Sequence, residues 1–369
     1  MKARFIRVVS VMMAILLMLS AFAGCSKDKP EQETSSTTET TTAETTTEST
    51  LPENVNPLTG KDDLSESSVN ARPVAIIVEN SPAARPQWGI STPDIVIEGV
   101  AEGGITRMMW VYADVEKIPE KVGPVRSARH DYVELASGMN AIFVHMGGSD
   151  GSKVGLTLGY QTIRNLGVNN IDGQTYLGKY FQRDTTRNTA IEHRAYTSGE
   201  YIRTAIADLG YSVKQKDSNW MPYSVIQEPG HYYESSSCYE ITANFSSGYV
   251  HNFKYSNAEN KYYNYLNGKV MTDGNNGASM AVENVIILYV PVSTLNTKEG
   301  HKEWNLEATN GEGWYAYGGE VIKVCWSKAG KSSPLKITTA DGEELVINEG
   351  QTWMGFVPEA NKSLTTITE

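Results

Sequence analysis

The chain has 369 residues and a formal net charge of −11, from 43 acidic residues against 32 lysines and arginines. This length favours two globular domains plus additional segments over a single core. Because no segment is dominated by basic residues, the acidic balance argues against a nucleic-acid-binding protein.

The N-terminus has the pattern of a lipoprotein signal peptide over residues 1–25. Three basic residues precede an apolar run at 8–22, which is too short for a stable transmembrane helix. The letters FAGC at 22–25 resemble a bacterial lipobox, in which Cys25 becomes the acylated first residue of the mature chain. The alternative is an ordinary secretory signal cleaved elsewhere. We therefore expect palmitate or a similar acyl group on Cys25 and an anchor on the extracytoplasmic face of the cell membrane.

Residues 26–56 contain threonine, serine, glutamate and little else, which predicts a disordered linker because so polar a segment has no apolar surface to bury. An N-terminal α/β-type domain is predicted over 57–210. Its strand candidates are residues 74–78, 94–98, 107–112 and 141–144. Since these runs are continuously apolar, they indicate a mainly buried mixed sheet covered by helices.

A connector is predicted at 211–230 and a second, mainly β domain at 231–360. Short alternating runs rich in tyrosine and tryptophan recur there, separated by Asn-Gly and Asp-Gly turns. The fold class is therefore α+β. Two cysteines of this region, Cys238 and Cys325, either form a disulfide or are separate buried thiols.

The stretch 123–150 holds the densest set of candidate functional residues, at the ends of two apolar segments. All ten arginines that follow Cys25 lie between Arg72 and Arg203. Since arginine presents a planar fork to phosphate or carboxylate, the first domain is expected to recognise an anion. The candidate ligand-binding residues are Arg107, Arg126, Arg129, His130, Asp131, His145, His193 and Arg194.

A structural interpretation of the same residues stays open, in which the arginines neutralise carboxylates such as Glu98, Glu102 or Glu134. The histidines and Asp131 are equally at home as hydrogen-bonded structural residues. The spacing of histidines, cysteines and acidic residues predicts no metal site, and no motif indicates a cofactor.

Several motifs together resemble the YerB-like lipoproteins of Gram-positive bacteria. They are PLTG (57–60), RPVAIIVEN (72–80), GPVRSARHDY (123–132), EHRAY (192–196), GWYAYGGEVIKVCWSK (313–328) and GQTWMGFVP (350–358). The resemblance covers residues 57–358 and implies a surface-anchored protein of two domains, without implying a reaction.

The first domain alone is also similar to the core of LytR-CpsA-Psr phosphotransferases. The similarity lies in the order of residues 106–116, 124–136 and 140–148. It implies that Arg107 and Arg129 hold a polyprenyl pyrophosphate. Met108 and Met109 stand where that family has acidic metal ligands, so the similarity implies anion binding more than metal-assisted transfer.

Two hypotheses about function follow. The first is a membrane-anchored lipoprotein that binds an anionic envelope component, such as a cell-wall precursor or polymer, through its first domain. The alternative is an enzyme that acts on a polyprenyl-pyrophosphate-linked glycan. The sequence leaves open whether the protein is an enzyme.

Overall fold

The computed structural model describes residues 54–225 and 233–369. The predicted signal peptide, Cys25 and most of the predicted linker therefore lie outside the described residues. Among the residues that are described, none of the helices has the length and apolarity to span a membrane.

The first region forms the strands that its apolar runs predict. Its strands are β1 (Val74–Glu79), β2 (Ile95–Val100), β3 (Thr106–Tyr112), β4 (Ile142–His145), β5 (Asn170–Asp172), β6 (Gln182–Arg183) and β7 (Ala195–Tyr196). Its helices are α1 (His130–Gly138), α2 (Gly159–Leu166) and α3 (Gly199–Asp208). Strands β1–β4 are buried along their whole length. This is the expected environment for strands covered on both faces.

In the second region the described residues form strands and one six-residue 3-10 helix, Glu359–Leu364. The strands are β8 (Ser224–Val225), β9 (Ser236–Ser237), β10 (Glu240–Ser246), β11 (Tyr249–Ser256), β12 (Lys261–Leu266), β13 (Lys269–Val270), β14 (Ala281–Val282), β15 (Asn284–Val290), β16 (Val292–Thr294), β17 (Lys302–Trp304), β18 (Ala308–Tyr317), β19 (Glu320–Lys328), β20 (Lys336–Thr339), β21 (Val346–Ile347), β22 (Thr352–Pro358) and β23 (Ile367–Thr368). The predicted fold class, a mixed sheet followed by a mainly β region, is confirmed.

One large sheet runs through both regions, in the order β20-β19-β18-β15-β22-β2-β3-β1-β4-β5, with β9 beside β19. The two regions meet where β2 pairs in parallel with β22, from Ile95↔Thr352 to Gly99↔Phe356. A second sheet has the order β13-β12-β11-β10-β23, with β14 beside β12. Residues 51–369 form one compact unit.

The two sheets pack together around a buried polar network that is centred on Glu98 of β2. His251 of β11 lies with its Nε2 atom 3.0 Å from Glu98 Oε1, and both side chains are fully buried. Trp353 of β22 donates from its indole nitrogen to Oε2 of the same carboxylate at 3.2 Å. The network therefore joins the first region to the second inside the core.

The two cysteines of the second region are free thiols, and Cys238 is buried. Burial raises the pKa of the Cys238 thiol to about 11, so this residue remains an uncharged, small apolar group at neutral pH. Of the two alternatives for these cysteines, unpaired thiols is the one that the structure has.

Candidate functional site

One edge of the large sheet collects the carboxyl ends of β1, β2 and β4. Strands β1 and β4 are parallel, and both β1 and β2 run antiparallel to β3, which lies between them. The residues that follow these three strands therefore meet at one edge, where α/β folds commonly place binding sites. Polar side chains that the sequence scatters over more than a hundred positions come together here.

Glu102, in the loop between β2 and β3, organises the first group of side chains at this edge. Arg129, which precedes α1, donates to both carboxylate oxygens, with Nη2 3.0 Å from Oε2. Arg107 of β3 lies with Nη2 3.7 Å from Oε2 and donates from Nη1 to the carbonyl oxygen of Ser127 at 2.9 Å. His301 approaches from the second region, with Nε2 3.7 Å from Oε1.

The pKa values in this group follow from burial and from the crowding of positive charge. Burial opposes ionisation of Glu102, but hydrogen bonds from Arg129 and the charge of Arg107 outweigh it and lower the pKa of Glu102 to about 2. Burial, aided by the charge of Arg129, lowers the pKa of Arg107 to about 9. Arg107 therefore keeps its charge at neutral pH although it is almost fully buried.

Glu79, the last residue of β1, organises a second group beside the first. His193 Nδ1 lies 2.9 Å from both oxygens of the buried Glu79 carboxylate. The Ser81 hydroxyl donates to Oε1 at 2.8 Å, and Arg126 Nε lies 3.6 Å from the same oxygen. Glu79 also pairs with Arg107 in the β1–β3 register, so that the two groups are neighbours.

The three arginines of this edge, Arg107, Arg126 and Arg129, are called the arginine cluster below. Two carboxylates face three guanidinium groups, and the positive charge of Arg126 contributes to the lowered pKa of Arg107. The charge of Arg126 also acts on Glu192, a third carboxylate next to His193. The arginine cluster is therefore concentrated at one edge of a chain that is acidic as a whole, with carboxylates close by.

Two members of the site have polar atoms that other described residues leave without a partner. The contact of Arg126 with protein side chains is through Nε, and its Nη1 and Nη2 atoms have no hydrogen-bond partner in the described part of the chain. The same holds for Nε2 of His193, whose Nδ1 is held by Glu79. Both side chains reach the surface, at 27% exposure for Arg126 and 17% for His193.

The other predicted residues lie apart from these free atoms. His145 is fully buried and uses both ring nitrogens, with Nδ1 2.7 Å from the Gly147 carbonyl oxygen and Nε2 3.0 Å from Asn170 Oδ1. Arg194 donates to the carbonyl oxygen of Thr189, with Nε at 2.6 Å. Both side chains are therefore occupied by contacts within the protein.

His130 and Asp131, at the start of α1, are buried on the side of the second region. Asp131 accepts a hydrogen bond from the backbone N–H of Trp304 at 2.8 Å, and burial raises the pKa of its carboxyl well above the usual range. Burial and the charge of Lys331 lower the pKa of His130 to about 4, so this imidazole is neutral at physiological pH. The predicted candidates therefore divide into a convergent set, namely the arginine cluster with His193, and a structural set.

Sequence reasoning missed Glu79, which is the residue that brings Arg126 and His193 together. The available signal was a glutamate at the end of an otherwise apolar strand, Val74–Glu79, since a charge there must find partners at the sheet edge. Within the described residues, no group of three or more His, Cys, Asp or Glu side chains is placed to hold a metal ion.

Comparison with known proteins places this architecture in a family. Residues 58–212 match the model described as "Protein of unknown function (DUF3048) N-terminal domain", and residues 241–354 match the model of the DUF3048 C-terminal domain. The chain belongs to this family of proteins with a mixed α/β region followed by a β-rich region.

The chain is similar to "Putative lipoprotein YerB" of Bacillus subtilis (strain 168). It is 33% identical over 307 residues, which cover 82% of this chain and 86% of YerB. The crystal structure of the YerB protein from Bacillus subtilis superposes with a TM-score of 0.70 at 29% identity, over 85% of this chain and 99% of that chain. The predicted resemblance to the YerB-like family is confirmed; the similarity to LytR-CpsA-Psr phosphotransferases receives no support from these matches.

Proposed function

We propose that this protein is a lipoprotein, anchored through Cys25 on the extracytoplasmic face of the cell membrane, which binds an anionic group of a cell-envelope component at Arg126. The anchor is supported by the signal-peptide pattern, the lipobox-like FAGC at 22–25 and the name of the Bacillus subtilis relative. The polar linker at 26–56 would hold the folded part away from the membrane.

The observation that carries the binding proposal is the environment of Arg126. Its guanidinium group reaches the surface with both terminal nitrogens unoccupied by described residues, and its Nε atom is steadied by Glu79 at 3.6 Å. A guanidinium held in this way presents two parallel N–H donors, the geometry that a phosphate or carboxylate accepts.

The buried members of the arginine cluster support this role without contacting the ligand. Arg107 and Arg129 share the single carboxylate of Glu102, next to Arg126. Arg107 is 3% exposed, and a charge in that position is poorly screened by salt. An anion at the edge would therefore meet direct donors from Arg126, with the charges of two further guanidinium groups nearby.

The test is the affinity of the purified ectodomain for inorganic pyrophosphate and for a short-chain undecaprenyl-pyrophosphate mimic, measured by calorimetry. Arg126→Ala should weaken binding by about tenfold to a hundredfold, the loss of one charge-assisted pair. The matched control is Arg164→Ala, since Arg164 is an exposed arginine of α2 outside the cluster. Wild-type protein that binds neither compound, or Arg126→Ala with wild-type affinity, would refute the proposal.

A further inference from the structure

We infer that the group bound at Arg126 is a terminal phosphate, with Nε2 of His193 as its third hydrogen-bonding contact. The inference rests on the proposed function and adds to it the chemical class of the ligand. A terminal phosphate here means a phosphate monoester or the outer phosphate of a pyrophosphate. The contrasting class is the phosphodiester, as found along a polymer backbone.

Glu79 holds the ring of His193 in one orientation. It ends the 3-10 turn Ile191–His193, and its Nδ1 atom lies 2.9 Å from both oxygens of Glu79, which is 2% exposed. A carboxylate in this position accepts a hydrogen bond from Nδ1–H and fixes the plane of the ring, as carboxylate–histidine pairs do in catalytic and metal sites. Nε2, on the far side of the ring, is therefore directed away from Glu79.

His193 differs from two buried histidines of the same chain, whereas His301, like His193, is hydrogen-bonded through Nδ1, with its Nε2 atom 3.7 Å from Glu102. His145 and His251 each have partners on both ring nitrogens and are fully buried. His193 has a strong partner on one nitrogen only, and the other nitrogen has none among the described residues. An imidazole whose ring is fixed by a hydrogen bond at one nitrogen can bind a ligand through the other nitrogen.

His193 lies beside Arg126. Both side chains contact the same carboxylate, Arg126 through Nε at 3.6 Å and His193 through Nδ1 at 2.9 Å. Both planar groups contact Glu79, and their unpaired nitrogens are the atoms that lie farther from that carboxylate. The Ser81 hydroxyl, at 2.8 Å from Glu79, completes the support without taking a free nitrogen.

The unpaired nitrogens of Arg126 and His193 correspond in number to the non-bridging oxygens of a terminal phosphate. Nη1 and Nη2 of Arg126 with Nε2 of His193 offer three hydrogen-bonding atoms, and a terminal phosphate has three non-bridging oxygens, whereas a phosphodiester has two. Either nitrogen of an imidazole can carry a proton, and a phosphate monoester keeps a P–OH group until its second proton leaves near pH 6. Nε2 can therefore donate to an oxyanion or accept from a P–OH group, and a diester has no P–OH group near neutral pH.

The experiment compares phenyl phosphate with methyl phenyl phosphate as calorimetric ligands, because the two differ in one ester methyl group. Wild-type protein should bind the monoester about tenfold or more tightly than the diester, the worth of one charge-assisted contact. His193→Asn keeps an N–H for Glu79 but lacks Nε2, so it should lose this preference, with a larger fall in affinity for the monoester than for the diester. Arg126→Ala should lose both ligands.

The outcomes separate this inference from the proposal on which it rests. Equal affinities in the wild type, or a preference that survives in His193→Asn, would overturn the terminal-phosphate assignment, while loss of both ligands in Arg126→Ala would still support anion binding. Wild-type protein that binds neither ligand would remove the proposed function itself. Should His193→Asn fold poorly, His193→Gln replaces it, because its amide reaches as far as Nε2 and should retain part of the preference.

Discussion

Arg126 and Arg129 have the same side chain three positions apart, and their surroundings give them different roles. Arg129 donates to both oxygens of Glu102, whose side chain is 16% exposed, whereas Arg126 faces solvent with its terminal nitrogens. Arg129→Ala should therefore lower the free energy of unfolding by about 1.5–3 kcal/mol, because it leaves a largely buried carboxylate short of its main partner. Urea denaturation measures this.

Arg126→Ala is the matched variant, and its effect on stability should stay within about 0.5 kcal/mol, as for a partly exposed residue with one loose ion pair. Equal destabilisation by both substitutions would contradict the division of roles. It would mean that Arg126 is a structural residue as well.

Asp94 gives a prediction about pH. It is buried and accepts hydrogen bonds from the Ala113 backbone at 2.7 Å and from Asn56 Nδ2 at 3.0 Å. Burial raises its pKa to about 6, against an unfolded value of about 3.9. The folded state therefore favours the protonated form, so the contribution of this group to stability is complete below the unfolded pKa and is lost as pH rises through 6.

Asp94→Asn cannot ionise, so its free energy of unfolding should rise relative to wild type between pH 4 and pH 7. A shift of two pKa units corresponds to about 3 kcal/mol. At every pH the variant has one hydrogen-bond acceptor fewer. This lowers its free energy of unfolding by a constant amount and leaves the pH dependence unchanged. Urea midpoints of both proteins across the pH range, with the exposed Asp341→Asn as control, measure the effect. A difference that stays constant with pH would show that Asp94 is ionised throughout at no cost.

At the level of elements, β2 depends on a glycine where the second region packs on it. A Cβ atom on Gly99 would lie 2.1 Å from the indole ring of Trp304, which is 3% exposed and stacks on Phe356. Gly99→Ala should therefore destabilise the protein by about 1–3 kcal/mol through overpacking. The control is Gly248→Ala, where the added methyl meets nothing within 4 Å. Thermal midpoints that fall equally in both variants would contradict this reason.

The strands of the first region were predictable because their signal is local. Continuous apolar runs place β1 to β4 within two residues at each end, and they also indicate burial on both faces. The insertion of β22 between β15 and β2 was not predictable, since Val96 pairs with Trp353 across more than 250 positions. No local pattern specifies which distant strand lies beside a buried one.

The same distinction applies to the candidate site. Arg107, Arg126 and Arg129 were predictable as one group from the sequence, because all three are arginines close to the ends of predicted strands. The sequence could not separate them from Arg194, because whether a guanidinium group is occupied depends on which carbonyl oxygens the fold places nearby. The role of Glu79 depends on its register with Arg107, and that register is a tertiary property.

For the molecule as a whole, the two family regions share a core although they read as different domains in sequence. Strand β22 extends the sheet of the first region through main-chain hydrogen bonds to β2, and the buried Glu98 contacts both His251 and Trp353 of the second region. Leaving a buried hydrogen-bonding group without its partner typically costs about 1–3 kcal/mol. The first region on its own would therefore keep Asn80 and Thr106 as partners of Glu98 but lose His251 and Trp353, and the edge of β2 would be unpaired.

This shared core predicts how the protein responds to a cut between its regions. A tobacco etch virus protease site inserted in the predicted connector, between residues 225 and 233, should allow cleavage into two fragments that elute together on size exclusion. They should unfold in one transition and separate only in denaturant, because the β2–β22 pairing and the contacts of Glu98 persist after the cut. The uncut protein with the same insertion is the control. Fragments that elute separately, each with native circular dichroism, would establish two independent domains and would make the continuous sheet a weak interface.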